Sequence, residues 1–306
     1  MTHGSIIINP GCTLSCAFCS PRHPKHFSIK EWLQNETDVI KNIDYLFDHG
    51  VKNIEISGCD PGECRNLPKI IQYAKKYAHV MLSTNGIRFS DPSLAQELVV
   101  AGLDSVRIPL YGHSPEIHDR LTGSPGSFEL QRQAIINFLK AGTHLVAYSV
   151  ITKWNKNDLD KILITYLELV NQYALDKYTA LEKIIFSIPC IASKENLDYY
   201  VPYREMGPYF KKLLESTRSI SNNLFIIKDV PYCVIGGYDP RLDNLDSAES
   251  LHAITGSQLP SKDLRSDIDP TVPSYRIKVR IENCEGCQFK QKCFGFYKND
   301  IDIFGY

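Results

Sequence analysis

The segment GCTLSCAFC, at residues 11–19, places three cysteines close together. Three residues separate Cys12 from Cys16, and two separate Cys16 from Cys19. Thiolates bind soft metals, so this spacing favours an iron–sulfur cluster or zinc. If three cysteines hold a four-iron cluster, one iron lacks a protein ligand and is open to a cofactor.

A second group of cysteines lies in CEGCQFKQKC, near the end of the sequence. Cys284, Cys287 and Cys293 are separated by two and by five residues, and Cys233 lies further upstream in PYCVIGG. Four thiolates can hold either an iron–sulfur cluster or a zinc ion. The residues alone leave both interpretations open.

The first segment also has a zinc alternative, in which Cys16 and Cys19 combine with His23 and His26. This arrangement leaves Cys12 unused, and both histidines lie in the proline-flanked sequence PRHPKH. We expect Cys59 and Cys64, which belong to neither group, to serve packing, as buried thiols commonly do.

Composition limits the class of protein. The chain has 306 residues and ten cysteines, and it shows neither an export signal nor an apolar segment long enough to cross a bilayer. We therefore expect a reducing cytoplasm, where clustered thiols bind metal. Lys and Arg total 34, Asp and Glu total 35, and the formal net charge is -1, which predicts neither a nucleic-acid nor a membrane partner.

Short runs rich in Val and Ile alternate with longer segments of helical spacing, which predicts an α/β fold with a parallel sheet. Six buried strands are predicted, at residues 5–8, 51–57, 79–84, 104–110, 143–151 and 183–189. Helices are predicted within residues 31–50, 93–102 and 127–142. In such a fold the ligand loops gather at the C-terminal ends of the strands, where the first cysteine segment lies.

The alternation fades near residue 195, where we place a domain boundary. Residues 1–195 are predicted to form the strand–helix domain, and residues 196–306 a smaller domain that contains the second cysteine group. Residues 237–275 are polar and rich in turn-forming residues, so we expect a long loop or lid there.

CTLSCAFC resembles the CxxxCxxC signature of the radical SAM superfamily, including an aromatic residue before the third cysteine, here Phe18. The resemblance implies a partial (β/α)6 TIM-like barrel and a [4Fe-4S] cluster held by Cys12, Cys16 and Cys19. It also implies S-adenosylmethionine (SAM) at the fourth iron. Reductive cleavage of SAM then gives a 5′-deoxyadenosyl radical, which removes a hydrogen atom from the substrate.

Other segments resemble landmarks of this superfamily, in the same order. SGCDP at 57–61 resembles the GGEP-like turn that holds the methionyl amino group of SAM, and STNG at 83–86 closes the third strand. Residues 104–129 resemble the fourth strand and an HDxxTGxxGSF pattern, although Pro109 replaces the usual ribose-contacting serine. YSVITKWN at 148–155 resembles the fifth-strand segment.

The resemblance implies a set of residues that contact SAM. This set is Phe18, Gly58, Asp60, Pro61, Ser83, Asn85, Arg120 and Ser149. Arg107 and Lys153 are alternatives to Arg120 as the partner of the SAM carboxylate.

The second cysteine group resembles the centre of the SPASM motif of radical SAM peptide maturases, with Tyr297 in place of a fourth cysteine. This implies the shorter twitch form, with one auxiliary [4Fe-4S] cluster. Its expected ligands are Cys233, Cys284, Cys287 and Cys293. The alternatives are zinc in the same site, or a cluster with one iron open to substrate, which frees Cys233. Cys190, after the sixth strand, is the candidate catalytic donor of a hydrogen atom.

Two candidate functions follow from this resemblance, and a third is an alternative from a different class. The first is modification of a ribosomally synthesised peptide (RiPP biosynthesis) by cross-linking, epimerisation or thioether formation. The second is a dehydrogenase or rearranging enzyme for a small metabolite, and the third is a non-catalytic zinc or iron–sulfur protein. An enzyme of this type needs an external one-electron donor such as flavodoxin or ferredoxin. Because the first strand is expected by residue 5, a peptide maturase would also need a separate leader-binding protein.

Overall fold

The structure, a computed structural model, describes residues 3–8, 11–19, 36–189, 191, 197–243, 250–253 and 278–305. A parallel sheet of nine strands is its main element. The strands are β1 His3–Ile7, β2 Asn53–Ser57, β3 His79–Ser83, β4 Ser105–Pro109, β5 His144–Val150, β6 Leu181–Ser187, β7 Phe225–Lys228, β8 Leu242–Asp243 and β9 Ser250–Ala253. Their order across the sheet is β8-β7-β6-β5-β4-β3-β2-β1-β9.

Helices alternate with these strands, as parallel pairing requires. They are α1 Glu36–Asp48, α2 Leu67–Ala74, α3 Pro92–Val100, α4 Pro115–Thr122, α5 Ser127–Lys140, α6 Leu159–Tyr173, α7 Tyr203–Ser216 and α8 Lys298–Phe304. The strands β1 to β7 with their helices form a half-barrel, so the predicted α/β fold of the partial TIM-like type is confirmed.

Strand periodicity gives the sheet two different faces. On β2, Ile54 and Ile56 are buried in the main hydrophobic core, whereas Glu55 between them is partly exposed. Successive residues of a strand point to opposite faces, so Glu55 lies on the inner, concave face of the half-barrel. Arg107 on β4 and Tyr148 on β5 share this face, and we call the space that they border the lumen.

The sheet continues beyond the six strands expected from the sequence. β7 pairs in parallel with β6 and adds a seventh strand to the half-barrel, and α7 precedes it. β8 and β9 lie within the segment predicted as a long loop, so that prediction does not hold at these two short strands. The other residues of 244–275 lie outside the described part of the chain. The domain boundary near residue 195 stays a prediction.

The C-terminal segment forms a small antiparallel pair, β10 Lys278–Val279 with β11 Phe296–Tyr297. It packs against the start of α7, where the Tyr203 and Phe296 rings lie 5.4 Å apart. A Lys278 Nζ to Asp229 Oδ1 ion pair of 2.8 Å joins it to the residue after β7. In the described residues no helix has the length and apolar character needed to cross a membrane.

Candidate functional site

The first three cysteines lie on a loop that helix α4 supports. The backbone N–H of Ser15 donates to the carbonyl of Thr122 at 2.8 Å, and that of Ala17 donates to Leu121 at 2.9 Å. Both carbonyls belong to the last turn of α4, where carbonyls have no partner within the helix. Gly123 ends the helix with a left-handed φ of 64°. The loop thus satisfies the end of α4 and is fixed by it.

The sulfur of Cys12 accepts two N–H groups. The backbone N–H of Leu14 lies 3.4 Å from Sγ, and the Asn85 carboxamide nitrogen lies 3.5 Å from it. Asn85 also donates to Thr13 Oγ1 at 3.3 Å. Such N–H groups favour the thiolate and tune a metal bound to it. Asn85 therefore lies at the metal site, and its predicted contact with SAM stays a prediction.

Phe18 packs beneath the cysteine loop. Its ring meets the Tyr111 ring edge-on at 4.7 Å, and the Tyr199 ring lies 6.3 Å away. Burial, with a smaller effect from the nearby thiols of Cys16 and Cys19, raises the pKa of Tyr111, which stays neutral. These rings keep water away from the inner side of the loop. Phe18 can do this without a direct contact with a cofactor.

Asp60 is fully buried and shapes the turn after β2. Its Oδ1 accepts from the hydroxyl of Thr84 at 2.6 Å, from Gly62 N–H at 3.2 Å and from Asn85 N–H at 3.4 Å. Burial raises the pKa of this carboxyl, although these hydrogen bonds lower it. Asp60 therefore joins the turn at Gly58 and Pro61 to the loop after β3, and its predicted contact with the SAM amino group stays a prediction.

A chain of polar side chains crosses the lumen from β2 to β6. Glu55 Oε1 accepts from Ser83 Oγ at 2.6 Å and from Arg107 Nη1 at 2.7 Å. The Arg107 guanidinium lies 5.6 Å from the centre of the Tyr148 ring, and the hydroxyls of Tyr148 and Ser187 lie 2.6 Å apart. We call these five residues the polar ladder. Ser83, predicted to contact SAM, is held by Glu55.

Ser149 points away from the lumen. It is 1% exposed, and it follows Tyr148 on β5, so strand geometry directs it toward the helices. Its predicted contact with SAM stays a prediction. Among the candidates for the SAM carboxylate, Arg107 belongs to the polar ladder and Lys153 is exposed. Arg120 is also exposed, and its guanidinium lies 4.1 Å from the centre of the Trp154 ring.

The sequence analysis missed Glu55 and Tyr148 as lumen residues. A signal was present, because Glu55 interrupts the apolar run of β2 and Arg107 interrupts that of β4 at positions of one face. The contact between Glu55 and Arg107 depends on the pairing of β2 and of β4 with β3, which the sequence does not show directly.

The second cysteine group lines one small cavity. Cys233, from the turn after β7, faces it together with Cys284, Cys287 and Cys293 from the loop between β10 and β11. Arg280 also lines the cavity, and its guanidinium donates to the carbonyls of Lys290 and Cys293. The four thiols predicted to act together are thus neighbours, and their number and type fit a cluster or a zinc ion.

The nine cysteines in the described residues form no disulfide. In the same part of the chain, no three His, Cys, Asp or Glu side chains are grouped closely enough to hold a single metal ion. The fit of both cysteine groups to a metal therefore rests on the chemistry and neighbourhood of the thiols. Cys190, His23 and His26 lie outside the described residues, so their assigned roles stay predictions.

Comparison with known families decides the class of the first site. The sequence profile of the radical SAM superfamily matches residues 6–164, a range that contains the cysteine loop, the Asp60 turn and the polar ladder up to Tyr148. The chain belongs to the radical SAM superfamily. Cys12, Cys16 and Cys19 fit the [4Fe-4S] cluster that binds SAM in radical SAM enzymes.

Curated relatives of this radical SAM protein carry the name GTP 3′,8-cyclase. A probable GTP 3′,8-cyclase of Methanococcus aeolicus is 31% identical over 156 residues, which is 49% of this chain and 50% of the relative. The GTP 3′,8-cyclase of Syntrophomonas wolfei is 29% identical over 177 residues, 56% of this chain and 52% of the relative. The chain thus spans about half of the length of these relatives.

Solved structures share the fold at low identity. Streptococcus suis SuiB bound to S-adenosylmethionine superposes with a TM-score of 0.65 at 12% identity, over 98% of this chain and 76% of SuiB. SuiB has also been solved bound to the precursor peptide SuiA, with a TM-score of 0.64. The structure of anSMEcpe with AdoMet and the Kp18Cys peptide gives a TM-score of 0.55 at 17% identity, over 74% of this chain and 63% of that protein.

Proposed function

We propose that this radical SAM enzyme modifies a ribosomally synthesised peptide by cross-linking, epimerisation or thioether formation. The cavity that brings Cys233 to Cys284, Cys287 and Cys293 carries this proposal, because the gaps of two and five residues resemble those of peptide maturases. The structural likeness to SuiB extends over 98% of the chain, which includes this cavity. In this proposal the four thiols hold one auxiliary [4Fe-4S] cluster.

The cysteine loop prepares the radical-forming site. When bound there, the [4Fe-4S] cluster and SAM supply a 5′-deoxyadenosyl radical that removes a hydrogen atom from the substrate. Asn85 directs its carboxamide at Cys12 Sγ, and the end of α4 fixes Ser15 and Ala17. The Phe18 and Tyr111 rings exclude water beneath the loop, which protects a reactive intermediate from side reactions.

The polar ladder is the proposed floor of the substrate site. Glu55 and Arg107 lie two residues before the ends of β2 and β4, so they are roughly 7 Å below the loops that carry the cysteines and the Asp60 turn. Their side chains are 27% and 22% exposed. They present an acceptor and a donor side by side, which matches the N–H and C=O groups of a peptide.

GTP is the second candidate substrate, because curated relatives over about half of the chain are named GTP 3′,8-cyclases. A triphosphate requires several positive charges in its site. Arg107, the cation of the polar ladder, is already paired with Glu55, so the ladder favours a neutral polar substrate over GTP. A small metabolite modified by dehydrogenation or rearrangement is the third candidate, and the polar ladder accommodates it equally.

The proposal implies partners and a location. An external one-electron donor such as flavodoxin or ferredoxin would reduce the cluster, and a separate leader-binding protein would present the peptide. A reducing cytoplasm suits both the thiols and the donor.

Mass spectrometry of substrate mixtures tests this proposal. The reconstituted enzyme is incubated anaerobically with SAM, a strong reductant and either GTP or peptides encoded by short reading frames beside its gene. We expect a changed peptide mass or, for epimerisation run in D2O, deuterium incorporation into the peptide, together with 5′-deoxyadenosine, and none of these with Cys16→Ala. Conversion of GTP with unchanged peptides would overturn the peptide assignment and establish the second candidate.

A further inference from the structure

A buried polar chain leads from helices α4 and α5 to the cysteine loop. His118 on α4 and Gln131 on α5 are both fully buried. The Nδ1 of His118 accepts the backbone N–H of Tyr111 at 3.1 Å, and its Nε2 contacts Gln131 Oε1. The Gln131 Nε2 donates to the carbonyl of Asn85, whose own carboxamide reaches Cys12 Sγ. Gln131 and Asn85 thus connect His118 on α4 to Cys12.

Each hydrogen bond in this chain has a fixed direction. A backbone N–H can only donate and a backbone carbonyl can only accept, so Nδ1 of His118 accepts and Nε2 of Gln131 donates. His118 must then carry its proton on Nε2 and donate it to Gln131 Oε1. Burial lowers the pKa of His118 to about 4, against a weaker opposing effect of the Gln131 hydrogen bond, so the ring is neutral at pH 7. The contacts therefore have one consistent arrangement.

The buried polar chain is not needed to fill the core. Buried polar groups cost stability unless their partners are placed well, so apolar side chains would fill the same space at lower cost. His118 and Gln131 instead hold the backbone of Asn85 at the point where its side chain turns toward Cys12. Asp119, the neighbour of His118, accepts from Gly126 N–H, Ser127 Oγ and Phe128 N–H, which fixes α4 against α5.

We propose that His118 and Gln131 are positioning residues for the radical SAM cluster, which act on Cys12 through Asn85. They keep the Asn85 carboxamide directed at the Cys12 sulfur. An N–H donor at a ligating sulfur stabilises the more negative, reduced cluster and so raises its reduction potential. This inference extends the family assignment to two side chains that do not contact the cluster.

A matched pair of variants on α5 tests the proposal. Gln131→Met keeps the length of the side chain and removes both of its hydrogen bonds. Asn137→Leu is the control. Asn137 is also buried on α5, but it donates to the carbonyls of Phe89 and Ser90, which do not belong to the hydrogen-bonded chain that leads to Cys12. A redox titration of each reconstituted enzyme measures the midpoint potential of its cluster. The electron paramagnetic resonance signal that responds to SAM reports the cluster on Cys12.

We expect the midpoint potential of Gln131→Met to be more negative than that of the wild type, and iron loss to a chelator to be about tenfold faster. Asn137→Leu should keep the wild-type potential. Equal potentials in Gln131→Met and the wild type, or an equal shift in both variants, would overturn the proposal.

Two further variants protect the test against a folding failure of Gln131→Met. His118→Phe keeps a ring beside Tyr111 and Phe128 but cannot bond to Gln131, so its potential should also move to more negative values. Gln131→Leu has a neutral apolar side chain that can neither accept from His118 nor donate to Asn85, so it should behave as Gln131→Met does. A wild-type potential in Gln131→Leu would show that the Asn85 carbonyl contact has no role.

Discussion

The contacts of individual side chains show how each predicted site residue is held. Asp60 and Ser83 are both bonded within the protein, to Thr84 and Glu55 respectively. Asn85 bonds to the sulfur of Cys12. We therefore assign the strongest effect on the cluster to Asn85 and to the residues that hold it.

His118 should give the protein a pH-dependent stability. Its pKa in the folded state is about 4, below the ordinary value of 6.5, so protonation favours the unfolded chain. Stability should therefore fall as the pH decreases from 6.5 toward 4, by on the order of 1–3 kcal/mol from this residue. Denaturant unfolding of metal-free protein at pH 7 and pH 5 measures this fall.

His118→Phe is the comparison for the pH experiment. It should be less stable than the wild type at pH 7, because Tyr111 N–H and Gln131 Oε1 lose their partner. Its stability should fall less between pH 7 and pH 5, because the Phe side chain does not titrate and the lowered pKa of the neighbouring Asp119 carboxyl keeps that group ionised over this range. An equal fall in both proteins would show that His118 does not titrate as its burial requires.

Sequence spacing predicts which residues act together when they are close along the chain. It predicts less well which residues meet across neighbouring strands. The three cysteines of the first loop are recognisable from their gaps, which are a local property. The direction of Ser149 depends on which face of β5 meets the helices, and the use of Asp60 depends on the distant Thr84. Those two roles were assigned from the resemblance, and they stay predictions.

Among the secondary-structure elements, the end of α4 is the one that fixes the cysteine loop. Gly123, at its C-terminus, has a φ of 64°, and a Cβ there would lie 3.0 Å from the carbonyl oxygen of Ser15. Gly126, three residues later, has a φ of 82° with no atom within 4 Å of such a Cβ. The two glycines have similar backbones and differ in their contact with the loop.

Gly123→Ala and Gly126→Ala should therefore have different consequences. Each costs about 1 kcal/mol for the left-handed backbone. Gly123→Ala should in addition displace Ser15 and reduce the iron bound to the radical SAM cysteines, whereas Gly126→Ala should retain it. Iron content after reconstitution and the free energy of unfolding measure the two effects. Equal iron content in both variants would contradict the role of α4.

The strands and helices were largely predictable because buried parallel strands are local runs of branched apolar residues. All six predicted strands are present, and each end lies within two residues of its expected position. The seventh strand, β7, has only the sequence FIIK and follows a helix that contains Pro208. This short apolar run lies where the alternation of strands and helices fades in the sequence, and it was not recognised as a strand. The strands β8 and β9 are shorter still and lie in a polar segment.

For the molecule as a whole, the second cysteine group would link two distant parts of the chain. Cys233 follows the half-barrel strand β7, and the other three cysteines of the cavity belong to the C-terminal segment. The gaps among Cys284, Cys287 and Cys293 are visible in the sequence, but the approach of Cys233 depends on packing between Tyr203 and Phe296 and on the Lys278–Asp229 ion pair.

Cys233→Ala should remove the auxiliary cluster and leave the radical SAM cluster in place. We expect the reconstituted variant to hold about half of the wild-type iron, since each [4Fe-4S] cluster has the same iron content. The C-terminal segment should also become more sensitive to limited proteolysis. Cys64→Ala is the control, because Cys64 belongs to neither cysteine group and should leave the iron content unchanged. Full iron content in Cys233→Ala would remove Cys233 from the ligand set.

Formation of 5′-deoxyadenosine tests the central claim most directly. The enzyme is reconstituted anaerobically with iron and sulfide, given SAM and a strong reductant, and assayed by mass spectrometry beside Cys16→Ala. We predict slow production of 5′-deoxyadenosine and methionine by the wild type, and none by Cys16→Ala. No 5′-deoxyadenosine from wild-type protein with a full iron load, with or without the neighbouring peptides and GTP, would contradict a radical-forming enzyme.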